Sequence, residues 1–219
     1  MQYETHQFRQ RDFITPESVH HPLFLIGAGG IGSPTAMVLE KMGFDNLSVF
    51  DPDTVEEHNV GSQLYHPDQV DMLKVEALQD RFCLTATTYG VIFPPKEFVL
   101  PPFAIVVSGV DSMAAREEIW EYLKTQRMVS LYVDARMGLE QIRVYAVDPS
   151  DKTQRELYEK NLYPDSEADP LPCSAKAVAY NGFFAASVIG GIVSAKVRGA
   201  AVPFEVMGDM SIFGLTQTI

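Results

Sequence analysis

Four closely spaced glycines, which could cradle a phosphate, directly follow the apolar residues 23–26. The turn reads G-A-G-G-I-G, and its glycines are Gly27, Gly29, Gly30 and Gly32. Gly27 would allow a tight turn, Gly29 would let the backbone approach a phosphate, and Gly32 would let a helix pack closely on the preceding strand. The phosphates would lie at the N-terminus of that helix, where free N–H groups and the helix dipole attract anions. Taken alone, this turn fits NAD, FAD and ATP equally.

Acidic and amide side chains follow the second apolar run, residues 47–50. Asp51, about 20 residues after the glycines, would accept hydrogen bonds from ribose hydroxyls, although it could simply belong to a turn. The next candidate ligands are Asp53, Asn59, Gln63 and Lys74. An acid-rich loop with amides, followed by a helical lysine, is not typical of a dehydrogenase. The amides could fix a phosphate or a base, and Lys74 either supplies a point charge for a phosphate or is a plain surface lysine.

Another acid, Asp111, comes shortly after the apolar residues 104–107. Open α/β sheets bind ligands at the carboxyl ends of their strands, so Asp111 is a candidate ligand for Mg²⁺, a hard ion that prefers carboxylates and bridges phosphates. The alternative is that Asp111 caps the helix that follows. Arg116 is expected to form a structural salt bridge. For residues 134–136 and Glu140, a local salt bridge is a simpler interpretation than a substrate-facing polar group.

The elements that must position these residues follow from the hydrophobic pattern. Strands are predicted at 23–26, 47–50, 85–93, 104–107, 129–133 and 139–147, with one or two more in 204–218. Helices are predicted at 31–42, 68–82, 112–125, 154–161 and 175–196. This alternation indicates an α/β, Rossmann-like fold. Its sheet would be mostly parallel, with helices on both faces and antiparallel strands added in the C-terminal part.

In combination these motifs resemble those of the E1-like superfamily, which contains the ThiF, MoeB and HesA adenylyltransferases and the ubiquitin-activating enzymes. The family pattern is G-x-G-G-x-G, then D-x-D-x-V, then N-x-x-R-Q and a lysine. The matching positions are 27–32, 51–55, Asn59 with Gln63, and Lys74. Residues 8–10 resemble the N-terminal Y-x-R-Q of the family, residues 109–116 its D-N-x-x-x-R segment, and residues 172–173 its late cysteine. The likeness therefore spans most of the chain.

The resemblance implies an ATP-dependent adenylyltransferase that activates the C-terminal carboxylate of a small ubiquitin-like (β-grasp) or sulfur-carrier protein. ATP and Mg²⁺ would be its cofactors, with Mg²⁺ on Asp111 and with Lys74 and Arg9 contacting phosphates. It also implies a homodimer in which the Arg9 segment completes the partner subunit's site. One position departs from the pattern, because the arginine of N-x-x-R-Q is Ser62 here. Either catalysis is weakened, or Arg9 or another basic residue replaces this arginine, or the chain is a non-catalytic relative.

The two cysteines, Cys83 and Cys173, are far apart in the sequence and make no disulfide framework, which is typical of a cytoplasmic protein. Cys83 is expected in the core. Cys173 precedes a predicted helix, whose dipole would stabilise a thiolate. Its segment also resembles the cysteine segment of compact E1 enzymes. Cys173 is therefore either a nucleophile that takes the acyl group as a thioester or a small packing residue.

Length and charge limit the remaining possibilities. The 219 residues fit one domain, 1–219, with an N-terminal arm at 1–21 and a short crossover loop at 148–172. The net charge of −12 argues against a nucleic-acid partner, and neither a signal peptide nor a membrane span is predicted.

Two alternatives to the enzyme stay open. A non-catalytic nucleotide-binding scaffold of the same family is supported by Ser62, and an NAD-dependent oxidoreductase only by the glycines and Asp51.

Overall fold

The core of the molecule is one eight-stranded mixed sheet. A computed structural model describes residues 9–10, 12–82, 86–164 and 178–219. The strands are β1 (Leu23–Ile26), β2 (Leu47–Phe50), β3 (Thr87–Tyr89), β4 (Ile105–Ser108), β5 (Leu131–Gly138), β6 (Gln141–Val147), β7 (Glu205–Asp209) and β8 (Gly214–Thr218). Their order across the sheet is β3-β2-β1-β4-β5-β6-β7-β8. The pairs from β3 to β5 are parallel and the pairs from β5 to β8 are antiparallel, which confirms the predicted fold class.

Helices cover both faces of this sheet. They are α1 (Pro16–Val19), α2 (Gly32–Lys41), α3 (Lys74–Phe82), α4 (Met113–Leu123), α5 (Lys152–Glu159) and α6 (Ala179–Val197). Buried residues of α2, α3 and α6 pack on one face, and those of α4 and α5 pack on the other. None of the helices in the described part of the chain is long and apolar enough to cross a membrane.

The two cores follow from the alternation of side chains along each strand. In β1, Leu23 and Leu25 point into the core beneath α2 and α6, whereas Phe24 and Ile26 point into the core beneath α4. All four residues are buried because the parallel strands are covered on both sides. This explains why the parallel strands read as continuous apolar runs, which is the pattern that predicted them.

The predicted helix at 68–82 is wrong in its first half. Residues 67–69 form a 3₁₀ turn, and the α-helix begins only at Lys74. Between them Asp71 has a positive φ of 73°, and Leu73 forms a β-bridge with Thr54. The Val55 N–H also donates to the Met72 carbonyl at 2.8 Å. These contacts with the loop after β2 are formed in place of helical hydrogen bonds, and they set where Lys74 lies.

The boundary between the predicted strands at 129–133 and 139–147 also shifts. β5 continues to Gly138, and the short turn at Leu139 and Glu140 connects it to β6. Leu139 has a positive φ of 52°, as such turns require. Since β5 is longer than predicted, residues 134–136 lie within the sheet. The predicted arm and crossover loop are described only in part, and both cysteines lie outside the described residues.

Candidate nucleotide-binding site

A large open cleft of about 2620 Å³ lies at the carboxyl ends of the parallel strands. The neighbours of β1 are β2 on one side and β4 on the other, so the connections from β1 and β4 diverge at this point. Such a switch point is where open α/β sheets bind ligands. Of the residues predicted from sequence, the cleft is lined by Gly27, Gly29, Gly30, Asp51, Asp53, Gln63, Lys74 and Asp111. Residues that are up to 84 positions apart in the sequence, from Gly27 to Asp111, therefore line the same cleft.

The glycine turn joins β1 to α2 in the way that phosphate binding requires. Gly27 has a positive φ of 88°, and a Cβ on Gly32 would lie 1.8 Å from the Gly27 carbonyl oxygen. Gly29 faces open space, with no heavy atom within 4 Å of a Cβ built there. Helix α2 begins without a hydrogen bond from a capping side chain. Among its first three residues only Gly32 keeps an N–H for an anion that approaches over Gly29, because the Ser33 N–H donates to the Gly29 carbonyl at 2.9 Å and Pro34 has none.

Asp51 is 5% exposed at the end of β2 and is held by two backbone donors. The Ala28 N–H donates to Asp51 Oδ2 at 2.6 Å, and the Asp53 N–H donates to Oδ1 at 2.8 Å. Burial raises the pKa of the Asp51 carboxyl, while the Ala28 N–H and Lys74 oppose that shift. Because each carboxylate oxygen can accept a second hydrogen bond, these contacts orient Asp51 and leave acceptor capacity for a ribose.

The loop after β2 is tied to the glycine turn. The Ser33 hydroxyl donates to the Gly29 carbonyl at 2.8 Å and accepts from the Leu64 N–H at 3.1 Å. The Tyr65 hydroxyl donates to the Ala28 carbonyl at 2.6 Å, and burial raises its pKa. The sequence analysis did not identify Ser33 or Tyr65, although the position of Ser33 directly after the last glycine was a usable signal.

The two predicted amide ligands differ in their surroundings. Gln63 lines the cleft, and its buried Oε1 atom has no hydrogen-bond partner. Asn59 is buried and is not among the lining residues, and its Oδ1 accepts from the Glu56 N–H at 3.0 Å. This geometry suits Gln63 for a ligand contact and Asn59 for fixing the loop that carries it.

Lys74 is not a surface lysine, because its side chain is only 10% exposed. Its Nζ lies 2.9 Å from Asp53 Oδ2, and its own N–H donates to the Asp53 carbonyl at 2.9 Å. Both residues line the cleft. The Asp53 side chain, at 64% exposed, is accessible to solvent, in contrast to the buried Lys74 side chain. The pair holds a cation at the cleft wall, where an incoming phosphate could share it.

Asp111 is exposed in the short loop between β4 and α4. The hydroxyl of Ser112 caps α4 by accepting the Ala115 N–H at 3.2 Å, so Asp111 is not the residue that caps this helix. Arg116 forms the predicted salt bridge, with Nε 3.0 Å from Asp134 Oδ1. Asp134 also pairs with Arg136, which confirms the local salt bridge expected for residues 134–136. Asp111 itself lines the cleft and has no capping role.

Other parts of the cleft wall were missed in the sequence analysis. Val91 and Ile92 are exposed and follow β3, which ends earlier than the predicted strand at 85–93. Apolar residues at the carboxyl end of a strand next to β2 were the available signal. The opposite wall comes from the antiparallel strands, where Arg143 on β6 pairs with Met207 on β7 and with Arg136 on β5. Of that wall, the sequence analysis had considered only Arg136 and Glu140, as part of a substrate-facing polar group, and both of them line the cleft.

Among the described residues, the predicted catalytic residue Arg9 does not line this cleft. Arg9 is exposed, and its neighbour Gln10 donates from Nε2 to the Lys41 carbonyl at 2.6 Å. Lys41 ends α2, and the ten residues of this helix span about 15 Å from the glycine turn. Cys173 lies outside the described residues. The role of each stays a prediction.

A family model described as "ThiF family" matches residues 19–197. This chain belongs to the ThiF family. The match confirms the resemblance inferred from the motifs, and it covers β1 to β6 together with the five helices α2 to α6. In this ThiF family chain, the glycine turn, Asp51 and Asp111 all lie inside the matched range.

Curated relatives match shorter pieces of the chain. "Ubiquitin-like modifier-activating enzyme 5" of Caenorhabditis elegans is 41% identical over 56 residues, which are 26% of this chain and 13% of that protein. "Adenylyltransferase and sulfurtransferase UBA4" of Yarrowia lipolytica is 38% identical over 101 residues, 43% of this chain and 26% of that protein. The matches thus span well under half of these relatives' own lengths.

Solved structures agree over the whole length of this ThiF family chain. E. coli MccB with ATP superposes with a TM-score of 0.71 at 15% identity, covering 100% of this chain and 71% of that one. PaaA superposes with a TM-score of 0.70 at 16% identity, covering 99% of this chain and 72% of that one. At such low identity these likenesses show a shared fold.

Proposed function

We propose that this protein is an ATP-dependent adenylyltransferase that activates the C-terminal carboxylate of a small ubiquitin-like or sulfur-carrier protein. The observation that carries the proposal is the convergence of the glycine turn, Asp51 and Asp111 on one cleft at the switch point of the sheet. Family membership supports the reaction class, and the names of UBA4 and of the activating enzyme 5 relatives support the substrate class. An open groove also suits a flexible protein terminus.

In this proposal the nucleotide occupies the side of the cleft formed by β1 and β2. The phosphates lie over Gly29 at the N-terminus of α2, and the ribose hydroxyls donate to Asp51. The exposed side chains of Val91 and Ile92 provide an apolar surface for the adenine. Asp51 is fixed by two backbone donors, whereas Val91 and Ile92 follow the end of β3.

Two carboxylates of the cleft, Asp111 after β4 and Asp53 after β2, fit Mg²⁺. Asp111 offers an exposed carboxylate, and Asp53 is a second carboxylate in the same cleft. When bound, Mg²⁺ would neutralise charge on the phosphates. The substrate carboxylate then attacks the α-phosphorus, forming the acyl–phosphate bond, and pyrophosphate leaves with the electrons of the broken bond. The protein contributes alignment and electrostatic stabilisation, chiefly through Lys74 and the Gly32 N–H at the start of α2.

The fate of the adenylate depends on Cys173. As a thiolate it would displace AMP to form a thioester, and as a packing residue it would leave the adenylate to react directly with a sulfur or amine acceptor. We favour neither route, because both begin with the same adenylation step. The cleft described above serves that step in either case.

The second candidate function is a non-catalytic nucleotide-binding member of the family. The observation in its favour is Ser62, which lines the cleft where the family pattern has an arginine. The enzyme would need another cation near the phosphates, and the proposal assigns this role to Arg9 of a second subunit. Binding of ATP without catalysis would favour the scaffold.

We expect ATP with Mg²⁺ to raise the melting temperature, because a ligand that binds the native state stabilises it by mass action. At a concentration near 100 times its Kd, the gain is about 2.7 kcal/mol. For a protein of this size, that corresponds to a rise of roughly 5 to 10 °C. Differential scanning fluorimetry with ATP, and with NAD as the matched control, measures this shift. A larger shift with NAD would contradict the proposal and favour the oxidoreductase.

A measurement of turnover, made on the same protein preparation, distinguishes the adenylyltransferase from the non-catalytic scaffold. We would measure exchange of labelled pyrophosphate into ATP, using synthetic peptides with a free C-terminal carboxylate and the same peptides as C-terminal amides. Exchange that requires the carboxylate supports adenylation. Stabilisation by ATP with no exchange for the protein alone, for the peptides or for intact ubiquitin-like proteins would favour the scaffold.

A two-fold symmetric homodimer is the expected assembly, because Arg9 is remote from the cleft of its own chain. Its interface should bury well over about 1,000 Å². Sedimentation at micromolar concentration would show a dimer, and Arg9→Ala should lower the exchange rate without changing the sedimentation. Lys41→Ala, which removes a nearby exposed cation, is the control. A monomer with full activity would exclude a role for Arg9 across the interface.

A further inference from the structure

The fully buried carboxylate of Asp134, on β5, accepts hydrogen bonds from three side chains that belong to three different elements. Arg116 Nε on α4 lies 3.0 Å from Oδ1, Arg136 Nε on β5 lies 2.8 Å from Oδ2, and the Tyr158 hydroxyl on α5 donates to Oδ2 at 3.0 Å. Asp134 is 0% exposed, and β5 lies between β4 and β6 in the sheet. This carboxylate is therefore anchored in a rigid part of the molecule.

Arg116 extends this anchor to the loop that carries Asp111. While Nε pairs with Asp134, Nη2 donates to the carbonyl of Val110, the residue directly before Asp111. A third contact joins Nη1 to the Met113 sulfur at 3.7 Å. The guanidinium is planar and fork-shaped, so it can hold two acceptors in a fixed relation that a lysine cannot reproduce. Arg116, Asp134 and the Val110 carbonyl are named here the Arg116 clamp.

The loop itself has few other restraints. Gly109 donates to the Ile26 carbonyl at 2.9 Å on one side, and the Ser112 cap of α4 begins on the other. Between them Asp111 is exposed. A carboxylate that must meet a metal ion with strict octahedral geometry needs a defined backbone position. The Arg116 clamp supplies a restraint one residue away.

We propose that Arg116, held by Asp134, is a positioning residue that sets where the Asp111 carboxylate lies in the cleft. This inference rests on the proposed function, in which Asp111 is a ligand of Mg²⁺. Arg116 itself does not touch the nucleotide in this scheme. Arg116 acts by fixing the Val110 carbonyl. Replacing Arg116 should therefore lower ATP affinity only when the metal is present.

Arg116→Lys tests the proposal, because lysine keeps the charge but cannot bridge both acceptors. ATP affinity in Mg²⁺ should fall by up to about tenfold, because binding must then supply the loop order that the charge-assisted hydrogen bond of Arg116 gives the free protein. Affinity in EDTA should not change, since the glycine turn and Asp51 are untouched. Isothermal titration calorimetry measures both values. The matched control is Arg155→Lys, because Arg155 also donates to a backbone carbonyl, that of Pro149 at 2.8 Å, away from the cleft.

A double-mutant cycle checks that the effect passes through Asp111. Asp111→Asn should lower the affinity in Mg²⁺, and adding Arg116→Lys should cause no further loss. Equal losses with and without Mg²⁺, additive losses, or no loss at all would each overturn the positioning role. If Arg116→Lys does not fold, Arg116→Gln, which is neutral and shorter, replaces it in the same cycle.

Hydrogen exchange of residues 109–116 in the ligand-free protein separates this inference from the proposed function. Arg116→Lys should accelerate exchange there and leave residues 27–32 unchanged. If the wild type binds no ATP, the proposed function fails, and the positioning of Asp111 for a metal fails with it. Accelerated exchange would then still show that the clamp restrains the loop. Unchanged exchange overturns the clamp even if the wild type is an active enzyme.

Discussion

Gly32→Ala should destabilise the protein and abolish ATP binding. The added Cβ would lie 1.8 Å from the Gly27 carbonyl oxygen and 2.7 Å from its carbon, so backbone atoms would have to move. Overpacking of this kind costs about 3 kcal/mol or more. In a protein of this size that corresponds to a fall in melting temperature of roughly 6 to 12 °C. Thermal unfolding followed by circular dichroism, with and without ATP, measures both effects.

Gly29→Ala is the matched control in the same turn. A Cβ at Gly29 meets no heavy atom within 4 Å, so the melting temperature of the free protein should change little. The methyl group would instead occupy cleft space that the phosphates need, and the ATP-induced shift should shrink. A wild-type melting temperature for Gly32→Ala, or a full ATP-induced shift in that variant, would contradict this account of the turn.

Asp111→Asn should leave the fold intact and abolish adenylate formation. The substitution preserves shape and removes one negative charge from an exposed side chain, so the stability cost should be small. Loss of an electrostatic contact at the reacting centre lowers turnover by about 100-fold or more. Pyrophosphate exchange, measured across a range of Mg²⁺ concentrations, would record that loss.

Glu117→Gln controls for the change in net charge, because Glu117 is exposed on α4 and is not among the cleft residues. It should exchange pyrophosphate at the wild-type rate. Melting curves of both variants would verify that neither change acts through stability. Unchanged exchange in Asp111→Asn would remove Asp111 from the mechanism and leave Asp53 as the remaining carboxylate near the phosphates.

Residues 68–82 illustrate where sequence patterns lose their predictive power. Their composition favours a helix throughout, yet residues 71–73 pair with the loop after β2 and only Lys74–Phe82 is α-helical. A helix hydrogen-bonds to itself, so its signal is local. The bridge between Thr54 and Leu73 joins residues 19 positions apart, and such pairing leaves no periodic trace. The same bridge brings Lys74 to Asp53.

The sequence by itself determined the order of strands and helices, the glycine turn and the acids at the strand ends. Each of these features depends on residues close together in the sequence. Apolar runs predict the strands, Gly27 and Gly32 belong to one six-residue turn, and Asp51 directly follows the apolar run of β2. Only the tertiary structure decided which of them meet. The close approach of α6 to the turn is one case, since a Cβ on Gly182 would lie 2.2 Å from the Gly30 carbonyl oxygen.

The buried network around Asp134 is the other case. The sequence predicted a salt bridge for Arg116 and a local one within residues 134–136, but that both arginines share Asp134 was decided by the packing of α4 on β5. Burial in the sheet makes a shared carboxylate necessary, because an unpaired charge there would carry a large desolvation cost. The order of the strands depends on the packing contacts between segments that are distant in the sequence, so no single segment encodes it.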